Sequence, residues 1–132
     1  MFIMDRNDGG DMHTFFQNGS DRILYVAVSP TSNIVVGMGG VILHPSSSSD
    51  STNVTSELVR MQLLEDHQGM GYGKKLLSAC EEWARRNNST QMFLDTWLIN
   101  TSAQNFYERN GYIKEKVVKY ELADRFYKTW TG

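Results

Sequence analysis

Three glycines at alternate positions, Gly69, Gly71 and Gly73, stand out in this sequence because their type and spacing could bind a ligand. Glycine weakens the interior of a helix or a strand, so packing alone does not explain the run. Residues 57–64 before it are mostly apolar and typical of a strand, and apolar side chains recur at helical spacing over residues 72–84 after it. A loop between them would gather unpaired amides and the positive end of the helix dipole, and that combination binds phosphate.

The spacing around these glycines excludes the two best-known phosphate loops. A P-loop requires a glycine where the chain has Gln68, and a Ser or Thr where it has Lys75. The dinucleotide fingerprint G-x-G-x-x-G requires a third glycine where the chain has Lys74. The pattern that remains is Gln68-x-x-Gly71-x-Gly73. A glycine loop that only joins a strand to a helix, without a ligand, is the alternative at this point.

A second informative segment covers residues 100–112, with the sequence N-T-S-A-Q-N-F-Y-E-R-N-G-Y. Thr101 or Ser102 can cap a helix at its start, and Gly111 can end it. Aromatic side chains in its middle could simply pack the helix on a sheet. That interpretation suits Phe106 but does not explain the whole set of residues.

Together the two segments resemble the GNAT superfamily of acetyl-CoA-dependent N-acetyltransferases. The first matches its Q/R-x-x-G-x-G/A pyrophosphate loop and the second its N-x-x-A-x-x-F-Y-E-x-x-G-F/Y segment, in the family's order and at its usual separation. The resemblance covers residues 23–122 and implies an α/β (α+β) fold with a mixed, mostly antiparallel central sheet flanked by helices. In that sheet the parallel strands 57–64 and 91–98 would splay apart. The family's first strand has no visible counterpart, so it is expected to be missing in this N-terminally short member.

The resemblance implies that acetyl-CoA is the cosubstrate. The edge at residues 61–63 would bind the pantetheine arm as an added strand, and an amide there would polarise the thioester carbonyl, on which negative charge builds during transfer. Asn100 and Asn105 would contact the cofactor from the other side. Lys74 could add a positive charge or be an ordinary solvated lysine. The expected cofactor contacts are Met61, Gln62, Leu63, Gln68, Gly69, Met70, Gly71, Tyr72, Gly73, Lys74, Asn100, Asn105 and Tyr107.

Acetylation of an amine needs two proton movements. A lysine-type amine has a pKa of about 10.4 and must lose a proton to attack, and the coenzyme A thiolate leaves more easily if it is protonated. By the resemblance, Tyr107 is the general acid over the thioester sulfur, and Glu57 lies where some members carry the general base. An ordinary charged residue at the start of a strand is the alternative for Glu57. His67, just before the loop, could relay a proton or be a solvated histidine.

The remaining elements complete a single domain over residues 1–132. Residues 1–10 are expected to be disordered, and the serine-rich residues 45–54 to form a flexible loop. A missing first strand would leave an exposed sheet edge that favours pairing into a homodimer. Glycines inside strand 34–43 predict a bulge or a close neighbour. The other predicted elements are a short helix over residues 11–19, a hairpin of strands 22–28 and 34–43, and C-terminal strands over residues 112–122 and 125–130.

Composition limits the class of protein. A chain of 132 residues suits one domain, and its formal net charge of −2 gives no general attraction to nucleic acid or anionic membranes. The one cysteine, Cys80, rules out an internal disulfide and falls on the apolar face of the predicted helix as a core residue. Neither a signal peptide nor a membrane-spanning run is visible, so a cytoplasmic or nuclear protein is expected. No cluster of Cys, His and carboxylates has metal-ligand spacing.

The expected function is transfer of the acetyl group from acetyl-CoA to a primary amine, on a small molecule or a protein, by direct attack in a ternary complex. The alternative is a non-catalytic acyl-CoA-binding sensor or subunit with the same fold. Tyr107 together with Glu57 favours the enzyme. A nucleic-acid-binding module is not expected, because the chain lacks a basic patch with interleaved aromatic residues.

Overall fold

The computed structural model describes residues 2–5, 21–29, 31–46, 53–116 and 123–130. The strands are β1 (Phe2–Asp5), β2 (Arg22–Val28), β3 (Val35–Pro45), β4 (Val54–Leu63), β5 (Ser89–Trp97), β6 (Ile113–Lys116) and β7 (Ala123–Thr129); the helices are α1 (Tyr72–Arg86) and α2 (Thr101–Arg109). In this part of the chain the strands form a seven-stranded sheet in the order β1-β2-β3-β4-β5-β7-β6. Its neighbours are antiparallel except β4 and β5, which are parallel. The predicted mixed, mostly antiparallel fold is confirmed.

Strands β2 and β3 form the predicted hairpin. The backbone N–H of Ser29 donates to the carbonyl of Ile34, and the N–H of Asn33 donates to the carbonyl of Ser29, both over 2.9 Å. Asn33 has a φ of 57°, in the left-handed region that asparagine tolerates better than most residues. The turn therefore closes with a residue type suited to its backbone angle.

Helix α1 supplies the centre of the core. Its buried side chains lie three or four residues apart, so that they share the face turned toward the sheet. Cys80 on this face is fully buried, as predicted, and burial raises the pKa of its thiol to about 12, with the nearby Glu81 carboxylate adding to the effect. Cys80 is therefore a protonated packing residue. The buried residues of α1 are Leu76, Leu77, Cys80 and Ala84.

Gly39 in β3 lets helix α1 and strand β4 approach closely. A Cβ atom at this position would lie 3.0 Å from the Sδ of Met61 and 3.2 Å from the Sγ of Cys80. Both distances are shorter than ordinary van der Waals contact, so a larger residue would push the two elements apart. The close neighbour predicted from the glycines of this strand is confirmed.

Strand β4 carries a bulge at Arg60. Gly40 of β3 pairs with Val59 of β4, whereas Met38 pairs with Gln62, so β4 has one residue more than β3 over this interval. Arg60 has a φ of 56°, which is unusual for a residue with a side chain. A bulge of this kind bends the strand and increases its twist.

Strands β4 and β5 pair at one end and separate toward the other, as predicted. Their parallel ladder runs from Val54 paired with Ser89 to Glu57 paired with Phe93, and it ends there. Beyond it β4 continues on β3 up to Leu63, and β5 continues on β7 up to its last residue. A gap bounded by two strand edges therefore opens toward the glycine loop.

The N-terminal expectation is wrong in one respect. Residues Phe2–Asp5 form β1, which pairs with β2 from Phe2 opposite Val28 to Asp5 opposite Tyr25. A first strand is therefore present, residues 2–5 belong to the sheet, and β2 is not the exposed edge that a missing strand would have left. The predicted short helix over residues 11–19 lies outside the described residues.

Two further boundaries differ from the prediction. The serine-rich loop is shorter than residues 45–54, because Pro45 and Val54 form the last pair of the β3–β4 ladder; residues 47–52 lie outside the described part. β6 covers Ile113–Lys116, and the rest of the predicted strand, residues 117–122, also lies outside it. β7 pairs with β6 and also with β5.

The aromatic residues of the last strand serve the core. Phe126 is fully buried, and Trp130 packs partly buried against the same cluster. Packing in the core therefore accounts for the aromatic side chain at Phe126.

Candidate active site

The glycine loop joins β4 to α1 and presents unpaired amides. Gly69 and Gly71 have φ angles of 80° and 81°, where side chains are strained, and a Cβ atom at either would meet no atom within 4 Å. Among the described residues, the backbone N–H groups of residues 69–74 donate no hydrogen bond. The glycines are thus needed for the backbone path, which leaves open space and free donors at the start of a helix. This is the geometry of an anion site.

Gln68 fixes the base of this loop. Its side-chain amide donates a hydrogen bond to the carbonyl of Leu63 over 3.2 Å, which ties the loop back to the end of β4. The ring of His67 stacks on Tyr72 with 5.9 Å between ring centroids. The side chains of Gln68 and Tyr72, both expected at the cofactor, therefore also hold the loop in place.

Gly73 is required for a different reason from the other two glycines, because it lies against another helix. A Cβ atom there would lie 3.3 Å from Cε1 of Phe106 in α2. The start of α1 and the middle of α2 therefore pack closely, and this packing brings the glycine loop next to the helix that carries Tyr107.

The unpaired edge of β4 faces the gap. Residues 61–63, expected to bind the pantetheine arm, pair with β3 on one side through Gln62 and Leu63, and no ladder joins them to β5 on the other. An extended ligand could hydrogen-bond to this edge as an added strand does. Met70 in the loop is 60 % exposed and Lys74 is exposed, so both side chains stand in solvent beside the gap.

Tyr107 lies on the inner face of α2, with its ring in the core. It is 6 % exposed and packs edge-on against Tyr112 and Phe106, at centroid distances of 5.7 and 5.3 Å. Its hydroxyl makes no hydrogen bond to another described residue. Burial, and secondarily Cys80, raises the pKa of Tyr107 well above its usual value, so the phenol keeps its proton at neutral pH.

Glu57 lies at the last pair of the β4–β5 ladder, on the other face of the sheet. Its neighbour Leu58 packs with α1 in the core, so Glu57 points to the face opposite the helices. Its Oε1 lies 3.0 Å from Nε2 of His44. Glu57 thus lies on the face of the sheet opposite Tyr107, which packs on Phe126 in the core.

The two asparagines have different positions. Asn100 is the N-cap of α2, and its side-chain oxygen accepts a hydrogen bond from the N–H of Ala103 over 3.1 Å. The expectation that Thr101 or Ser102 caps this helix is therefore wrong. Asn105 is exposed and its side chain makes no hydrogen bond to another described residue, so its side-chain amide is available to a ligand.

His44 is the neighbour of Glu57 that sequence reasoning missed. In the sequence it is only the residue before Pro45, and its neighbours along the chain do not set it apart. The pairing of His44 with Thr55 puts it diagonally across from Glu57 on the same face, and that relation depends on the β3–β4 register. The alternation of side chains along each strand shows which residues of one strand share a face. It does not give the register between two strands, which decides that His44 lies beside Glu57.

Comparison with known proteins places this architecture. The model of the acetyltransferase (GNAT) family matches residues 5–112. This chain belongs to the GNAT family. An uncharacterized acetyltransferase of Streptococcus pyogenes serotype M1 is 38 % identical over 61 residues, which is 46 % of this chain and 41 % of that relative. The chain thus spans less than half the length of the curated relatives that it matches.

Solved structures share the GNAT fold at low sequence identity. A putative acyl-CoA N-acyltransferase from Klebsiella pneumoniae is 22 % identical with a TM-score of 0.78, covering 97 % of this chain and 96 % of that one. A putative streptothricin acetyltransferase from Bacillus anthracis, solved with acetyl coenzyme A, is 20 % identical with a TM-score of 0.71, covering 89 % and 67 %. Arabidopsis thaliana NAA60, solved with a bisubstrate analogue, is 13 % identical with a TM-score of 0.72, covering 92 % and 83 %. These likenesses establish the fold.

Two features are absent from the described residues. None of the helices there is long and apolar enough to cross a membrane. In the same ranges, no group of three or more His, Cys, Asp and Glu side chains is placed to hold a metal ion.

Proposed function

We propose that this GNAT chain is an N-acetyltransferase that moves the acetyl group of acetyl-CoA to a primary amine by direct attack in a ternary complex. One observation carries the proposal. The backbone amides of residues 69–74, which donate no hydrogen bond within the described ranges, follow the open end of the gap between β4 and β5, and Glu57 forms the last ladder pair at its closed end.

The chain's own groups would hold acetyl-CoA in a definite direction. The amides of the glycine loop would bind the pyrophosphate, assisted by the dipole of α1, and Lys74 would add a positive charge. The edge at residues 61–63 would bind the pantetheine arm, so the acetyl group would lie toward the end of the β4–β5 ladder. Asn105 would contact the cofactor from α2. Relatives solved with coenzyme A or acetyl coenzyme A, from Thermoplasma acidophilum and Bacillus anthracis, support this choice of ligand.

The two proton movements then divide between the faces of the sheet. Glu57 would accept a proton from the acceptor ammonium, because only the neutral amine has the lone pair needed for attack. When the carbon–sulfur bond breaks, its electron pair stays on sulfur, and Tyr107 would supply the proton that completes the thiol. The raised pKa of Tyr107 keeps that proton available at neutral pH. A main-chain amide of residues 61–63 would stabilise the charge on the carbonyl oxygen.

Calorimetric titration with acetyl-CoA, with NADH and ATP as controls, tests the cofactor part. Micromolar binding of acetyl-CoA alone is expected. Release of free thiol in the presence of a panel of primary amines then tests the transfer. Binding without thiol release from any amine would instead identify the non-catalytic acyl-CoA-binding sensor or subunit.

A matched pair of glycine variants locates the site. Gly71 and Gly111 both have positive φ angles, 81° and 91°, so alanine strains the backbone similarly at each. Gly71→Ala adds a methyl group in the open space of the loop and should weaken acetyl-CoA binding by tenfold or more, whereas Gly111→Ala, at the end of α2, should not. Equal affinity in both variants would mean that the glycine loop is only a turn.

A further inference from the structure

The pair His44–Glu57 is the best-defined polar arrangement near the closed end of the gap. Nε2 of His44 lies 3.0 Å from Oε1 of Glu57, and the two side chains are 46 % and 31 % exposed. Exposed pairs of this kind contribute little to stability. The arrangement around the imidazole is more ordered than such a pair requires.

Phe93 holds the imidazole in place. The His44 ring stacks on the Phe93 ring with 5.8 Å between centroids and 30° between planes. Arg125 lies in β7, the strand on the other side of β5, and its guanidinium carbon is 4.6 Å from the centroid of the Phe93 ring. Arg125 is itself fixed by two hydrogen bonds to Asp95, of 2.9 and 3.2 Å. The row across β3, β4, β5 and β7 therefore orients the imidazole toward Glu57.

Other charged groups also surround His44. Asp21 is close enough for the His44 charge to contribute to lowering the pKa of its carboxyl, although its hydrogen bond to Arg22 is the largest cause. The backbone of Asp21 is tied to β3, because the N–H of Leu43 donates to its carbonyl over 2.7 Å. Among the described residues, the charged neighbours of the imidazole are thus Glu57, Asp21 with its partner Arg22, and Arg125 across the Phe93 ring.

We infer that His44 is a positioning and proton-relay residue for Glu57, so that the two act together as the base toward the acceptor amine. This inference rests on the proposed acetyl transfer. The hydrogen bond to Nε2 orients the Glu57 carboxyl, and in the tautomer that carries its hydrogen on Nδ1, Nε2 takes the proton that Glu57 has removed from the ammonium. The imidazolium releases it to solvent, to which the half-exposed ring has access. Histidine suits this step because it gains and loses protons near neutral pH.

The proton count is consistent with the overall reaction. An ammonium and a thioester become an amide, a thiol and one proton, and the relay carries that proton to solvent. The attacking nitrogen loses a second proton as the intermediate collapses, and this offsets the one that Tyr107 gives to sulfur. No other reactant is needed.

Two substitutions of His44 separate positioning from relay. His44→Gln keeps an N–H donor near the Glu57 carboxylate but cannot carry a proton, and His44→Ala removes both functions. We expect turnover at neutral pH to fall about tenfold or more in both variants, more strongly in His44→Ala, with unchanged acetyl-CoA affinity by calorimetry. Thr55→Val is the matched control, because Thr55 is paired with His44 and donates to its carbonyl over 3.3 Å without touching the imidazole. It should retain wild-type turnover.

The pH profile and a spectroscopic signature exclude a merely structural role. The acidic side of the turnover–pH profile should differ between the wild type and His44→Gln, because only the imidazole can carry the proton of Glu57 to solvent. The ¹⁵N resonance of His44 Nε2 should shift in Glu57→Gln, because its hydrogen-bond partner changes.

The outcomes distinguish this inference from the function on which it rests. Wild-type turnover and pH profile in both His44 variants, or an unchanged Nε2 resonance in Glu57→Gln, would overturn the relay while leaving acetyl transfer intact. A wild-type chain that transfers acetyl to no amine would overturn the proposed function, and the relay with it.

Discussion

Gly73 at the start of α1 and Phe106 in α2 are so close that a Cβ atom on the glycine would lie 3.3 Å from the aromatic ring. The contact joins the glycine loop to the helix of Tyr107 without any polar interaction. A ligand that moves the loop therefore acts on α2 through packing, and the relative position of the loop and Tyr107 is fixed by the size of residue 73.

The size limit at position 73 can be measured. Gly73→Ala should change the free energy of unfolding little, because alanine gains about 1 kcal/mol of helix propensity but crowds the Phe106 ring. Gly73→Val should destabilise by about 1–3 kcal/mol. Adding Phe106→Ala to Gly73→Val should recover part of this loss in urea unfolding, giving a coupling free energy above about 0.5 kcal/mol. Additive effects would show that residues 73 and 106 do not compete for space.

Tyr107→Phe should lower turnover about 100-fold or more and leave acetyl-CoA affinity nearly unchanged, because only the phenolic proton is lost while the ring contacts remain. Steady-state kinetics with calorimetry measures both quantities. Tyr112→Phe is the control, since Tyr112 is also buried but donates its hydroxyl hydrogen bond to Glu81 over 2.7 Å. That control should lose stability and keep its turnover. Full activity of Tyr107→Phe would remove Tyr107 from the chemistry.

Asn100 and Asn105 should respond oppositely to substitution. Asn100→Ala should cost about 1 kcal/mol of unfolding free energy through loss of the α2 cap, and Asn100→Ser should restore most of it. Asn105→Ala should leave stability within about 0.5 kcal/mol and weaken acetyl-CoA binding several-fold. Thermal unfolding and calorimetry of the three variants separate the effects. Wild-type affinity in Asn105→Ala would exclude Asn105 from the cofactor site.

Stability should decline in alkaline solution. Burial raises the pKa of Cys80 from its usual 9.0 to about 12, and it also raises the pKa values of Tyr107 and Tyr112 above their usual 10.0. The unfolded chain releases these protons first, so the stabilisation is complete below pH 9. As pH rises it is lost by about 1.4 kcal/mol per pH unit for each group, starting near pH 9 for Cys80 and near pH 10 for the two tyrosines. Melting temperatures between pH 7 and 11 measure the slope.

A substitution tests the origin of that slope. Tyr112→Phe removes one of the buried groups and should flatten the decline above pH 10, although it lowers stability at neutral pH by loss of the Glu81 hydrogen bond. A wild-type melting temperature that stays constant up to pH 11 would contradict the burial of these side chains.

The parts of the site that depend on local residue types could be predicted from the sequence. Gly69 and Gly71 have positive φ angles in open space, which only glycine adopts readily, so the loop was visible in the residue types alone. The parallel pairing of β4 and β5 followed from a strand, a helix and a strand in succession. These features need little knowledge of the rest of the fold.

The parts that depend on distant pairing could not. β1 has four residues at a sheet edge, too few to produce a periodic signal, and only its register with β2 identifies it. The His44–Glu57 contact likewise requires the register of the β3–β4 hairpin. Asn100 was missed as the cap because the two residues after it are equally common cap formers. A sequence pattern locates the end of a helix only to within one or two residues.

The separation of β4 from β5 divides the sheet into two halves. One half is β1-β2-β3-β4 and the other is β5-β7-β6, and the hydrogen-bonded ladder between them is confined to the end from Val54 to Glu57. The halves are therefore joined at one end of the seam, with helix α1 spanning both. A strand-like ligand in the open end would close the seam along its length, so binding should raise the cooperativity of unfolding and slow hydrogen exchange in both halves at once.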